Sequence, residues 1–185
     1  MHRLEHQIGD DWVRHEHLRT YETLGADGGR PRLLLGVGSD APEIIASLAG
    51  ALSAPFAVLY VLHTVHGEAE HGRYQSEPID YERLSGFMSA YAGYLRSDSR
   101  FDLWIFSEAD NAQIVWDRHN YLYAYGPIDR YAPILSEFGY VPGKIDRVSQ
   151  RPHMHFYRPE CDASAHAILD ELEWTWSPLR PEDEQ

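Results

Sequence analysis

Short apolar runs bounded by proline or glycine alternate along this chain with longer segments whose apolar residues recur at helical spacing. Residues 32–37 and 56–62 are two such runs, and apolar stretches of this length are typical of strands buried on both faces. Between them, Pro42 and Glu43 suit the first turn of a helix over residues 40–52. This order predicts a strand–helix–strand unit with parallel strands and a right-handed crossover.

The rest of the chain continues the alternation. Helical spacing recurs in residues 80–95 and 162–172, strand-like runs occupy 101–106 and 153–158, and Pro127 opens a further helix. Together these elements predict an α+β fold, with a single mixed β-sheet of about six strands and helices mainly on one face.

Two β-rich runs, 113–117 and 121–125, flank the connector Arg118, His119 and Asn120. Asparagine tolerates the left-handed backbone conformation that tight turns require. We therefore predict a β-hairpin with these three residues at its tip.

The N-terminal segment shows a different spacing. Leu4, Ile8, Trp12 and His15 recur at intervals of four, four and three residues, which is one stripe of a helix. The sequence therefore predicts a short amphipathic helix over residues 3–21 that lies on the main body.

Composition changes at two points of the chain. Residues 25–31 are rich in glycine and proline, which is typical of a flexible joint. We expect residues 1–31 to form the N-terminal helix and this joint, residues 32–176 to form a single α+β domain, and residues 177–185 to form an acidic solvated tail.

The charge balance limits the expected partners. The chain has 16 basic and 29 acidic residues and a formal net charge of −13 with histidine neutral. Lys144 is its only lysine, and the arginines are scattered. This balance disfavours nucleic acid and anionic membrane surfaces, and it favours a basic protein partner or a cationic ligand.

No apolar run approaches the roughly 18 residues that a membrane span requires. The N-terminus also lacks the apolar stretch of a secretory signal, and the single cysteine, Cys161, excludes an internal disulfide. These features predict a soluble, cytoplasmic protein.

A surface of tyrosines and histidines is the main binding candidate. Side chains alternate along a strand, so alternate residues of 121–125 share one face, as do those of 153–157. If both strands lie in one sheet, their rings form a rigid surface with polar groups that suits a protein partner. The predicted binding residues are Tyr121, Tyr123, Tyr125, His153, His155 and Tyr157.

Histidine pairs provide a second candidate. Among the eleven histidines, the pairs His15–His17 and His153–His155 each have one intervening residue, and such a pair on a strand can chelate a metal. His153 and His155 are therefore an alternative metal site, although no established zinc spacing is present. A long loop over residues 64–78 is expected to close a pocket beside such a site.

Asp117 and His119 at the hairpin tip form an alternative acid–base pair, because a carboxylate that orients a histidine is a general-base arrangement. Gly36-Val37-Gly38 lies between a strand and a helix, as in nucleotide-binding turns, but Ala41 and Pro42 stand where the dinucleotide motif has its third glycine. The sequence therefore predicts no cofactor.

The first functional hypothesis is a non-catalytic protein-binding module, regulatory or immunity-like, such as an acidic protein that neutralises a basic toxin. A small metal-dependent or His/Asp acid–base enzyme is the second hypothesis. The third is a homodimer that buries the aromatic face in its own interface.

Overall fold

A computed structural model describes residues 2–25 and 30–183 of the chain. Within these ranges the strands are β1 (Leu4–Ile8), β2 (Asp11–Arg14), β3 (Thr20–Leu24), β4 (Arg32–Gly36), β5 (Phe56–Leu62), β6 (Gly72–Ser76), β7 (Phe101–Ser107), β8 (Ala112–Trp116), β9 (Tyr121–Tyr125), β10 (Val141–Pro142), β11 (His153–His155) and β12 (Trp174–Ser177). The α-helices are α1 (Ala41–Gly50), α2 (Tyr81–Ala90), α3 (Ala92–Leu95), α4 (Ile128–Glu137) and α5 (Asp162–Glu171).

Nine strands form one large sheet with the order β10-β3-β4-β9-β8-β7-β5-β6-β12. β10 and β3 run parallel and the other neighbours run antiparallel. The α+β class and the mixed sheet are therefore confirmed, but the prediction of about six strands is wrong. Four strands of this sheet were missed. β3, β10 and β12 are short and carry few buried side chains, and β6 has the mostly polar sequence GRYQS, so none of them has the apolar run that marks a buried strand.

One face of the large sheet packs against helices, and this interface forms the main core. Leu33, Leu35 and Tyr60 contribute from the sheet, and burial of each such large apolar side chain stabilises the fold by about 1.5–3 kcal/mol. The helical side chains in this core are Ile44, Ile45 and Leu48 from α1, Leu84, Phe87 and Met88 from α2, Tyr131 and Leu135 from α4, and Ala165 and Ile168 from α5.

Among the described residues, no helix combines the length and the apolar character needed to cross a membrane.

The other face of the large sheet is covered in part by a second layer. This layer is a three-stranded sheet with the order β11-β1-β2, called the small sheet below. Leu34 of β4 lies between Leu33 and Leu35 and so projects to this face, where it packs with Leu4 of β1 and Tyr121 of β9. Leu4, Leu34 and Tyr121 are at most 2% exposed, so the two sheets share a closely packed second core.

The predicted N-terminal helix over residues 3–21 is wrong, because this segment forms β1, β2 and the start of β3. Gly9 and Asp10 connect β1 to β2, and Gly9 has a φ of 60°. A two-residue connection of this kind is typical of a β-hairpin. In the strands Leu4 is buried whereas Ile8 is 58% exposed and Trp12 is 44% exposed, so the apolar spacing did not mark one buried face.

The first and last described segments of the chain are part of the folded body. β3 pairs with β4 in the large sheet, so the described part of residues 1–31 is not a helical leader; residues 26–29 of the predicted joint lie outside the described residues. β12 extends to Ser177, and the carboxylate of Asp183 pairs with Arg73 at 2.5 Å with its side chain 1% exposed. The described part of residues 177–185 is therefore not a freely solvated tail.

The segment predicted as a long loop over residues 64–78 contains β6, which pairs with β5 and β12. Ahead of β6, Glu68 lies 2.8 Å from the guanidinium of Arg100, and both side chains are fully buried. Asp98 and Asp162 each pair with the same guanidinium at 2.9 Å. This network fastens the segment to the body, so it is not a free loop that closes over a pocket.

The outer strands of the large sheet are short, and proline stands at the end of each. β10 has two residues and ends with Pro142, whereas Pro178 directly follows β12.

The predicted strand–helix–strand unit corresponds to β4, α1 and β5. Its two strands point in the same direction, as predicted, but they are not neighbours, because β9, β8 and β7 lie between them.

Candidate metal centre

The tyrosines of β9 and the histidines of β11 lie in different sheets. Tyr121 and Tyr123 project from the large sheet into the second core, whereas His153 and His155 belong to an edge strand of the small sheet. The expectation that both strands lie in one sheet, with their rings side by side, is therefore wrong. The two sets of side chains instead belong to two facing layers.

Pairing of β11 with β1 determines where its imidazoles point. Leu4 lies opposite His155 and His6 lies opposite His153, and directly opposed residues of antiparallel strands share a face. Because Leu4 packs toward the large sheet, His153 and His155 lie on that inner face. Met154 alternates to the outer face and is 37% exposed.

Asp117 shapes the turn that carries His119. Its Oδ1 accepts hydrogen bonds from the backbone N–H groups of His119 and Tyr121, each at 2.9 Å, as aspartate commonly does in turns. Asn120 has a φ of 61°, and its side-chain oxygen accepts a hydrogen bond from the indole of Trp116 at 3.2 Å. The predicted hairpin of β8 and β9 is confirmed, and its turn holds His119 buried at 9% exposure.

The imidazoles of His119, His153 and His155 form a compact group, called the histidine triangle below. Its ring centres lie 5.0 Å apart for His119 and His153, 4.8 Å for His119 and His155, and 5.1 Å for His153 and His155. One nitrogen from each ring lies within 4.8 Å of the other two. Among the described residues, no other group of three His, Cys, Asp or Glu side chains meets this spacing.

This spacing is close to that of a tetrahedral metal site. A zinc–nitrogen bond of about 2.0–2.1 Å, extended by about 1.1 Å to the ring centre, places tetrahedrally bound imidazole centres about 5.2 Å apart. The observed separations are 4.8 to 5.1 Å. The ring centres thus have the separation expected of three imidazoles around one ion, whereas the nitrogens themselves lie up to 4.8 Å apart.

The ring nitrogens of the triangle are candidate metal ligands. Burial, together with the nearby charges of His119 and Arg118, lowers the pKa of His155 to about 3, so its imidazole is neutral at pH 7. The Nδ1 atom of His155 is buried, and no hydrogen-bond partner for it lies among the described residues. Nδ1 of His153 donates to the carbonyl oxygen of Arg151 at 2.8 Å, which leaves Nε2 with a free lone pair.

Asp117 approaches the third ring. Its Oδ2 lies 3.6 Å from Nδ1 of His119, which is too long for a hydrogen bond but close enough to orient the ring electrostatically. Asp117 and His119 thus lie side by side, as the acid–base alternative expected. His119 also meets His153 and His155, so the residues of both alternatives form one group.

A second set of histidines lies next to the triangle. His15 contacts Nδ1 of His6 through its Nδ1 at 3.3 Å and Nδ1 of His17 through its Nε2 at 3.2 Å. Nε2 of His17 lies 3.0 Å from the carbonyl oxygen of His119, and it must donate because a carbonyl only accepts. If all three imidazoles are neutral, His15 therefore donates from Nε2 to Nδ1 of His17. His6 then donates from its Nδ1 to Nδ1 of His15. This imidazole chain joins β1 and the segment between β2 and β3 to the turn that carries His119.

Burial disfavours the charged form of two rings of the imidazole chain, His15 and His17. It lowers the pKa of His15 to about 4, with the neighbouring rings of His17 and His6 acting in the same direction, and it also lowers the pKa of His17. Neutral rings are required for the alternating donors and acceptors of the chain.

The other predicted binding residues have separate surroundings. The hydroxyl of Tyr121 donates to the carbonyl oxygen of Asp146 at 3.1 Å, and burial raises the pKa of Tyr123 to about 12. The guanidinium carbon of Arg32 lies 5.5 Å from the ring centre of Tyr125. Tyr157 lies outside β11 and is 45% exposed. A role for these residues in binding a protein partner or a second copy of the chain stays a prediction.

Sequence reasoning found each part of the triangle but not the whole. The His-x-His pattern placed His153 and His155 on one face of a strand, and the turn chemistry placed His119 at a hairpin tip. Their meeting depends on the pairing of β11 with β1, which no local pattern predicts. His6 had no recognisable signal, because a single histidine in a short polar strand is common.

Comparisons of the chain with protein-family models, with curated proteins and with solved structures found no match.

Proposed function

We propose that this protein binds a divalent transition metal ion, with zinc as the reference case, through His119, His153 and His155. The observation that carries the proposal is the spacing of 4.8 to 5.1 Å between the three ring centres, which matches three imidazoles around one tetrahedral ion. The buried Nδ1 of His155 supports it, because it has no partner within residues 2–25 and 30–183 and buried ring nitrogens normally have one.

The donor set favours particular metals. Imidazole nitrogen suits zinc, copper, nickel and iron, whereas magnesium and calcium prefer oxygen ligands. The only cysteine, Cys161, is not part of the group, so the thiolate coordination typical of structural zinc sites is not expected. Three nitrogens leave one position of a tetrahedral ion open, as in catalytic sites.

This coordination indicates a reaction class. Three neutral ligands leave the full charge of the ion to act on a bound water, whose pKa falls to about 7 in comparable sites. We therefore infer metal-dependent hydrolysis as the reaction that the site supports best. Asp117 has the role of a positioning residue, because its carboxylate lies beside Nδ1 of His119 at 3.6 Å.

Metal titration of the tag-free, metal-free full chain tests the binding. We expect one zinc ion per chain by isothermal titration calorimetry, and intense visible absorption bands of four-coordinate cobalt when Co²⁺ is the probe. Loss of an orienting partner alone weakens metal sites by about 10–100-fold, so His155→Gln is expected to weaken zinc binding by more than about 100-fold.

Two matched substitutions serve as controls. His15→Gln changes the imidazole chain and His71→Gln changes an exposed histidine, and both variants should keep the one-to-one stoichiometry and the cobalt bands. Binding that survives His155→Gln, or that His15→Gln abolishes, would show that the ion sits elsewhere. Hydrolysis of an activated ester by the zinc-loaded chain tests the reaction class, and full zinc binding without hydrolysis would reject that part alone.

A further inference from the structure

The main chain of His119 is held at both of its polar groups. Its N–H donates to Oδ1 of Asp117 at 2.9 Å, and its carbonyl oxygen accepts the hydrogen bond from Nε2 of His17 at 3.0 Å. Asp117 belongs to the same turn, whereas His17 lies 102 residues earlier in the chain, between β2 and β3. The hydrogen bond from His17 therefore ties the main chain of His119 to a distant segment.

The ring of His17 is itself held in place. In the neutral ring Nε2 donates to the carbonyl oxygen of His119, and Nδ1 accepts from Nε2 of His15 at 3.2 Å. The ring centre lies 5.2 Å from that of Tyr121. A Cβ at Gly36, the last residue of β4, would lie 2.2 Å from Cγ of His17, so the ring rests directly on the backbone of the large sheet.

The turn has other supports, so its fold does not depend on His17 alone. The N–H of Val37 donates to the carbonyl oxygen of Asn120 at 2.9 Å, and the side-chain oxygen of Asn120 accepts from the indole of Trp116 at 3.2 Å. The hydrogen bond from His17 acts on the peptide group that follows Cα of His119. Backbone torsion angles determine which side-chain rotamers are allowed, so this bond affects the direction in which the ring of His119 points.

The histidine triangle needs this control at one corner in particular. His153 and His155 share β11, whereas His119 comes from the turn between β8 and β9 in the other sheet. The position of His119 relative to the pair therefore depends on what holds its turn. Metal sites require their ligands within about 0.5 Å of the productive geometry.

We propose that His17 is a positioning residue of the metal centre, which sets the orientation of His119 through the hydrogen bond to its carbonyl oxygen. This inference rests on the proposed binding of a metal ion by His119, His153 and His155. Orienting partners in metal sites commonly bind the second ring nitrogen of a ligand. Here the partner acts on the main chain of the ligand instead.

Two substitutions separate the hydrogen bond of His17 from the packing of its ring. His17→Gln keeps an N–H donor but removes the ring, whereas His17→Phe keeps a flat ring but removes the donor. Competition with a chromophoric chelator measures the zinc affinity of the tag-free full chain. His17→Phe is expected to weaken zinc binding by about 10–100-fold, as loss of an orienting partner does, and His17→Gln by less than about tenfold. His71→Phe, the same substitution at an exposed histidine, should leave the affinity unchanged.

Cobalt spectra distinguish positioning from a general loss of stability. At saturating Co²⁺ a folded but less stable chain keeps the visible bands of the unmodified protein, whereas a displaced ligand changes their wavelength and intensity. We expect shifted bands in His17→Phe and unshifted bands in His17→Gln. Urea unfolding of each metal-free variant establishes that it is folded under the titration conditions.

Gly36→Ala moves the ring of His17 without changing any histidine. The added Cβ requires the ring to shift, so zinc binding should weaken in the same direction as in His17→Phe. Gly86→Ala, where nothing lies within 4 Å of the added Cβ, should leave zinc binding unchanged.

The outcomes separate this inference from the proposed function. Zinc binding by His17→Phe or Gly36→Ala as tight as that of the unmodified chain would overturn the inference and leave the metal site intact. Weaker binding by His17→Gln than by His17→Phe would also overturn it, because the ring and not the donor would then matter. Absence of zinc binding by the unmodified chain would reject the proposed function and this inference with it.

Discussion

Acidification should destabilise the metal-free protein through His155, and the structure gives the size of the effect. The pKa of this imidazole is about 3 in the folded chain and about 6.5 in an unfolded one. Between these values the unfolded chain binds a proton that the folded chain does not, so the free energy of unfolding falls as the pH falls. The contribution of His155 is complete above pH 6.5 and is lost progressively toward pH 3.

The expected loss is about 1.4 kcal/mol for each pH unit below 6.5. Between pH 7 and pH 5 it amounts to about 2 kcal/mol, a large share of the 5–15 kcal/mol that is typical of a domain. His15, whose pKa is lowered to about 4, acts in the same direction.

Urea unfolding followed by tryptophan fluorescence at pH 7, 6 and 5 measures this dependence. In His155→Gln, which cannot titrate in this range, the stability lost between pH 7 and pH 5 should be smaller by about 2 kcal/mol than in the unmodified chain. His71→Gln, the same substitution at an exposed histidine, should behave as the unmodified chain does. Equal losses in His155→Gln and the unmodified chain would show that His155 is not the source of the pH dependence.

Two further substitutions test the packing around the site. Arg100→Met leaves the buried carboxylates of its network without their cation and should lower the free energy of unfolding by about 3–5 kcal/mol, measured by urea unfolding. Gly36→Ala places a Cβ 2.2 Å from Cγ of His17, so we expect the free energy of unfolding to fall by about 1–3 kcal/mol, measured by thermal unfolding. The NMR resonances of the His17 ring should also shift. Gly86→Ala, with nothing within 4 Å, should be neutral or stabilising, and equal behaviour of both glycine variants would contradict the contact.

Local patterns predicted the elements whose signal is contained in a few consecutive residues. Alternation placed Tyr121 and Tyr123 on one face of β9 and Leu122 on the other, where it joins the core beneath the helices. Asn120 with its positive φ forms the predicted turn. Such signals need no knowledge of distant residues, because the side-chain period of two belongs to the strand itself.

The small sheet could not be predicted from local patterns. A spacing of four residues fits one stripe of a helix, and it also fits one face of a strand, so Leu4 and Ile8 do not separate the two structures. The two-residue turn at Gly9 and Asp10 was the better indicator. The partner of β1 is β11, about 150 residues further along the chain, and no pattern within either segment predicts that the two strands pair.

The proline residues at both margins of the large sheet bear on self-association. A further strand would have to dock on β10 or β12, but Pro142 offers no amide hydrogen to a neighbour and Pro178 limits the length of the other margin. Edge-to-edge pairing of this sheet between copies of the chain, which would produce fibres or dimers with a continuous sheet, is therefore disfavoured. A contact between copies would have to use side chains or the margins of the small sheet instead.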